Sequence, residues 1–269
     1  MPKVTCITIR DAVQQFMGHA RHKTIRRVHN SFRITLTEND NKNGNIRLLK
    51  GLCNELKNAF YADYDYYRVS KKSKSKPSKK RKRGDGGKER GKRVDEELSR
   101  YVLDQVERKT YHLYTIKCIR ALKHWGYQPS TCQVNIYDED IGIATAIDCL
   151  VLNRKKEMVL LEIKTGFEGY HDESTHFMTK PLTGIANTPK NQHFLQLLFM
   201  CIMLDKKYGI SLYERAYVIR ICDAGVYRYK LPDWATEKRD IMYQMFIDRA
   251  KRVKEHDLFI QSKRISNEC

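Results

Sequence analysis

The chain has 269 residues, enough for one sizeable core with appendages, and carries a formal charge of +19 with an isoelectric point near 9.5. That balance points to a polyanionic partner, either nucleic acid or an anionic membrane surface; no apolar run reaches the roughly 18 residues needed to cross a bilayer, so membrane insertion is excluded and nucleic acid leads. The eight cysteines are scattered without a C-x-x-C pair, which argues against a zinc or iron–sulfur framework and fits a reducing compartment.

Residues 1–70 read as a basic extension of helical character. Val13, Phe16, Met17 and Ala20 recur at helical spacing in a stretch to about residue 36 that is rich in Arg, His and Lys, and a second helical pattern runs from Ile46 to Phe60. Met1 to Thr8 is followed by charge rather than by a sustained apolar region, so no secretory signal is expected, and the basic start leaves mitochondrial import as a weaker alternative. The tyrosines from Tyr61 to Tyr67 fit packing better than base stacking.

Residues 71–93 hold thirteen Lys and Arg against Asp85 and Glu89, a net +11 that exceeds half the charge of the chain. Such a run repels itself and has little to bury, so a disordered linker is expected. Within it Pro77-Ser78-Lys79-Lys80-Arg81-Lys82-Arg83 looks like a nuclear-localisation signal, which implies a eukaryotic host cell, an import receptor as a partner and the nucleus as the site of action.

Residues 94–269 carry the predicted globular domain. An apolar stripe through Val94, Leu98, Tyr101, Val102, Val106, Ile116, Ile119 and Leu122 predicts helix to about His124 with a break near Thr110. Gln133–Tyr137, Ile143–Leu152 and Met158–Lys164 read as successive strands, and 166–189 as a long irregular segment of the kind that is usually functional. Helix is predicted over Asn191–Tyr208, strands over Tyr213–Cys222 and Val226–Lys230, and a last helix from Pro232. Helix, three strands, helix, two strands, helix is an α/β order.

The most informative segment is the hairpin from Ile147-Asp148-Cys149 to Leu161-Glu162-Ile163-Lys164. With Asn153–Glu157 as its polar turn and Lys155 at the centre, antiparallel pairing sets 148 opposite 162. Two carboxylates then stand on strands whose facing Cβ atoms are roughly 4.5–5.5 Å apart, an arrangement that is unfavourable unless a positive charge lies between them. Glu162 and Lys164 share a face, with Leu161 and Ile163 on the other. A divalent cation with a neighbouring ammonium is the natural complement.

These residues resemble the PD-(D/E)xK nuclease superfamily, in particular its RecB-like and lambda-exonuclease-like branch, over roughly residues 91 to 235. Gly91 to Asp95 is similar to the G-x-x-x-H opening of that branch with Asp95 in place of histidine, and Glu96 and Glu97 compete for the role. Asp148 matches the strand acid, Glu162 and Lys164 match E-x-K, and Gln196 matches the glutamine of Q-x-x-x-Y, where Met200 replaces the tyrosine. The resemblance implies a restriction-endonuclease-like core with a central mixed sheet flanked by helices. It also implies a magnesium- or manganese-dependent deoxyribonuclease acting on DNA ends in replication, recombination or repair, with viral and mobile-element relatives. The metal would be held by Asp148, Glu162 and the carbonyl of Ile163, with Asp95 completing the set, while Lys164 orients or deprotonates water and Gln196 positions substrate or lysine. A structure-specific endonuclease and a non-catalytic nucleic-acid-binding protein are the rival readings. His171, His176 and His193 carry less weight, and no iron–sulfur cluster is expected.

Overall fold

The computed structural model describes residues 22–28, 31–36, 46–61, 87–166, 170 and 174–267. In chain order these form β1 (His22–Val28), β2 (Ser31–Leu36), β3 (Ile46–Gly51), α1 (Leu52–Phe60), α2 (Gly87–Asp104) and α3 (Leu113–His124). Then follow β4 (Gln128–Asp138), β5 (Ile143–Leu152), β6 (Met158–Thr165), α4 (Pro189–Tyr208), β7 (Ala216–Cys222), β8 (Gly225–Lys230) and α5 (Asp233–Asn267). All eight described strands belong to one mixed sheet.

Besides shifts of a few residues, such as β4 starting at Gln128 rather than Gln133 and β7 at Ala216 rather than Tyr213, three differences from the sequence expectation bear on the architecture. The helical arm expected to about residue 36 gives way to two antiparallel strands, β1 and β2, paired from His22↔Leu36 to Val28↔Ser31. The physical reason lies in the period: Phe32, Ile34 and Leu36 alternate with Ser31, Arg33 and Thr35, a strand pattern that the helical spacing at 13–20 obscured. The residues with that helical spacing lie outside the described residues. Ile46–Gly51, expected to open a helix, is instead β3, because β2 and the start of β5 offer it backbone partners on both edges. Finally, α2 begins at Gly87, so 87–93 belong to a helix rather than to the linker; Lys92 and Arg93 pair with Glu96 and Glu97 one turn on at 3.6 and 2.8 Å. The rest of the basic run, with its import-like segment, lies outside the described residues.

The arrangement of β5 positions everything that follows. One of its edges pairs with β4 along its length. The other edge is shared: β3 runs parallel to its first two residues, and β6 pairs antiparallel from Cys149↔Leu161 to Leu152↔Met158. Between these two ladders the edge of β5 is open, and Asp148 sits at the fork.

Two cores cover the two faces of the sheet. Beneath α2 and α3, Val94, Leu98, Cys118, Ile119 and Leu122 pack on Cys149, Val159, Leu161 and Ile163. On the opposite face α1, α4 and α5 pack on Leu150, Leu160 and Val218, and Phe60, Phe199 and Phe246 form a ring cluster with centroids 4.9–6.3 Å apart. Helix α4 is the central element of that layer. Thr188 caps its start by accepting from the Asn191 amide at 3.2 Å, Pro189 occupies its first turn, and Gly209 at φ 65° ends it. Among the described residues no helix is long and apolar enough to cross a membrane.

Candidate active site

The β5–β6 hairpin is built locally. Asn153 Oδ1 accepts from the amides of Lys155 and Glu157, both at 2.9 Å, and the Asn153 amide donates to the Glu157 carbonyl at 3.0 Å. This side-chain mimic of a backbone turn centres the hairpin on Lys155 and sets the expected register. Continued by one pair it would join 148 to 162, but the strands fork there. Instead of a ladder bond, the Ile163 amide donates to Asp148 Oδ2 at 2.7 Å. The carboxylate replaces the backbone partner, which fixes both its position and the strand separation.

Alternation puts Glu162 and Lys164 on the face under α4, where Gln196 projects. Lys164 Nζ contacts Glu162 Oε1 and donates to Gln196 Oε1 at 3.1 Å. Glu162 is fully buried, and apart from the ammonium contact neither of its oxygens has a hydrogen-bond partner among the described residues. Unsatisfied buried carboxylate oxygens are costly, so their retention marks a place where charge is wanted. Burial first, then the charge of Asp148, pushes Glu162 up to about 8 against the lowering influence of Lys164. Burial raises Asp148 as well, opposed by Lys164 and by the Ile163 amide. For Lys164, burial acts to lower the pKa, but Glu162 and Asp148 outweigh it and hold the ammonium above its ordinary value. In this state Lys164 is a proton-bearing cation rather than a base.

These groups line an open cleft of about 1440 Å³ whose far wall is α2 from Gly87 to Arg100. Asp95 and Glu96 both face it, with Lys88, Arg90, Lys92 and Arg100. Glu97 does not: it accepts from Arg93 Nε at 2.8 Å, Thr115 Oγ1 at 2.6 Å and the His112 amide at 2.7 Å, which ties α2 to the start of α3. The competition among Asp95, Glu96 and Glu97 therefore narrows to Asp95 and Glu96. Asp95 is the one that electrostatically raises Glu162. Among the described residues no group of three or more His, Cys, Asp or Glu side chains is arranged to hold a metal ion.

Several contributors escaped the sequence reading. Gln133 stands on β4 opposite Asp148, has φ 54°, and donates to Asp148 Oδ1 at 3.5 Å. Arg90 lies over the Tyr114 ring at 5.0 Å and against Gly166, where a Cβ would come within 2.5 Å of its Nη2. Gly166 itself has φ 83°, and its carbonyl accepts from Arg220 Nε at 3.2 Å. Gln133 was legible in principle from the strand register, whereas Arg90 and Arg220 required the tertiary fold. Met200 is buried in the core, so no hydroxyl reaches the cleft from that position. His193 is buried against Tyr170 and held well below the ordinary imidazole range by burial and by Lys164, hence neutral; His176 is exposed on the irregular segment, and His171 lies outside the described residues.

No family model and no curated protein matches this chain. Among solved structures, the crystal structure of SSO0001 is 17% identical, covering 57% of this chain and 70% of that one with a TM-score of 0.25, a superposition too loose to transfer any residue's role.

Proposed function

We propose that the chain is a divalent-metal-dependent deoxyribonuclease of the PD-(D/E)xK type, with a restriction-endonuclease-like core, that hydrolyses phosphodiester bonds at DNA ends. The observation that carries this reading is the meeting of Asp148, Glu162, Lys164 and Gln196 at a strand fork inside a cation-lined cleft. An ordinary surface salt bridge does not bury its carboxylate fully, nor does it recruit a second acid from the neighbouring strand.

Hard oxygen donors from Asp148, Glu162 and the Ile163 carbonyl suit Mg²⁺ or Mn²⁺ by their chemistry, and Asp95, on the α2 wall of the same cleft, would have to close on them to complete the set. When bound, the cation lowers the pKa of a coordinated water and offsets charge that develops on the scissile phosphate. The chain's own groups do the rest. Asp148 is held in place by the Ile163 amide and Gln133. Lys164 carries a proton at Nζ, aimed by Gln196, and offers it to a phosphate oxygen or orients water. Lys88, Arg90, Lys92 and Arg100 draw the polyanion into the cleft. The rest of the basic run, 71–86, adds salt-sensitive affinity and supports import into the nucleus.

The test is digestion of end-labelled single- and double-stranded DNA in Mg²⁺ by the native chain, Glu162→Ala and Lys164→Ala. Both substitutions are expected to abolish cleavage while DNA binding persists. Equal cutting by all three proteins overturns the proposal, and binding without cutting by the native chain returns the non-catalytic reading. A covalently closed circle, which has no ends, separates exonuclease from endonuclease.

A further inference from the structure

The face of the sheet that carries Glu162 and Lys164 does not stop at β6. Parallel pairing sets Lys164 beside Arg220 on β7, and antiparallel pairing sets Arg220 beside Tyr227 on β8; the neighbouring row runs Glu162, Val218, Tyr229. Paired residues point to the same face, so these rows lead from the site to the sheet edge, about 10 Å across two strand spacings. At that edge the side chains are aromatic and cationic rather than apolar. Tyr227 and Tyr229 stack with centroids 6.5 Å apart and planes 27° apart, and Tyr229 meets Tyr170 at 5.4 Å. The Arg220 guanidinium lies 5.1 Å from the Tyr170 ring and 5.8 Å from that of Tyr227, and Lys190 lies 5.0 Å from the Tyr229 ring. Tyr227 keeps 41% of its surface in solvent.

We infer that this row is a base-stacking track that holds the single-stranded stretch of a DNA substrate next to the candidate active site. The inference rests on the nuclease reading for its orientation, but not for the chemistry of binding. Rings interleaved with cations on a path continuous with the site suit a strand whose bases need π-faces and whose phosphates need positive charge. Duplex DNA, with its bases already stacked, gains nothing from the exposed ring of Tyr227. The track therefore predicts preference for a frayed or unpaired end over an intact helix.

The experiment measures fluorescence anisotropy of the full chain in chelator, at salt high enough to suppress the basic run. The probes are an oligothymidylate of about 20 nucleotides, long enough to span a single-strand site, an abasic oligomer of the same length, and the matching duplex. Tyr227→Ala is expected to weaken oligothymidylate binding about five- to 150-fold, the range that loss of one base–ring stack corresponds to. Abasic and duplex binding should be unchanged. Tyr227→Phe, which keeps the ring and controls for folding, should bind as the native chain does. Unchanged oligothymidylate binding in Tyr227→Ala, or an equal loss on the abasic oligomer, overturns the track. Cleavage in Mg²⁺ separates the two ideas. Base-dependent binding through Tyr227 without cutting sinks the nuclease reading alone, whereas cutting and binding indifferent to Tyr227→Ala sinks the track alone.

Discussion

Gly166→Ala tests the junction between the site strand and the cationic helix. Gly166 follows Lys164 by two residues at φ 83°, its amide donates to the Ile221 carbonyl at 2.8 Å, and its missing Cβ makes room for the Arg90 guanidinium. An alanine there meets two separate costs. Left-handed backbone costs an L-residue roughly 1–2 kcal/mol. The new Cβ, 2.5 Å from Arg90 Nη2, also drives a flexible side-chain end off the buried Tyr114 ring, a loss of about 1 kcal/mol for a partly buried cation–π contact. Together these give about 2–3 kcal/mol, or a fall in Tm of roughly 4–12 °C for a chain of this size. Urea unfolding of the native chain, Gly166→Ala, Arg90→Ala and the double variant closes the cycle. The backbone cost should survive in the Arg90→Ala background and the Arg90 cost should not, which leaves a coupling of about 1 kcal/mol. A native-like midpoint in Gly166→Ala, or strict additivity of the two substitutions, refutes the argument.

Glu162→Gln should flatten a pH limb. In chelator the unfolded chain releases this proton near 4.5 and the folded chain only near 8, so the unfolded state binds fewer protons between those values and metal-free stability falls as pH rises from about 4.5 to about 8, with Asp148 shifted in the same direction. Urea midpoints across that window should slope less in Glu162→Gln, and cleavage should be lost at every pH; an unchanged slope contradicts the buried-charge argument. Glu97→Gln should behave in the opposite sense. Burial opposes its ionisation, but Arg93, Thr115 and the His112 amide outweigh burial and lower its pKa, so its stabilisation is full above about 4.5 and is lost as pH falls through the lower folded value. The variant is expected to lose about 2–4 kcal/mol at neutral pH and to show a shallower acid limb in urea titrations. Phe199→Ala, at the centre of the α1–α4–α5 ring cluster, should cost about 3–5 kcal/mol by thermal unfolding without preference for any DNA probe.

What the sequence determined by itself is local. The bounds of β5 at Ile143–Leu152, the Asn153–Glu157 turn and the Lys155-centred register follow from β-branched strands flanking a residue that hydrogen-bonds its own turn, and all of that information lies within about twenty consecutive residues. Hence Asp148, Glu162 and Lys164 could be read as neighbours, and α4, long and strongly apolar, brought Gln196 with it. The tertiary structure alone decided the rest. Residues 22–28, 31–36 and 46–51 became strands because a sheet edge was available to them, a fact stored in distant residues. Glu97 was removed from the acids of α2 that face the cleft by Thr115 and His112, which claim it across the α2–α3 junction and leave Asp95 and Glu96. Arg90 and Arg220 acquired their places through Gly166, and Tyr227 through the order of β6, β7 and β8. Pattern along a chain fixes which face a side chain takes, whereas which groups meet across that face depends on how distant segments pack.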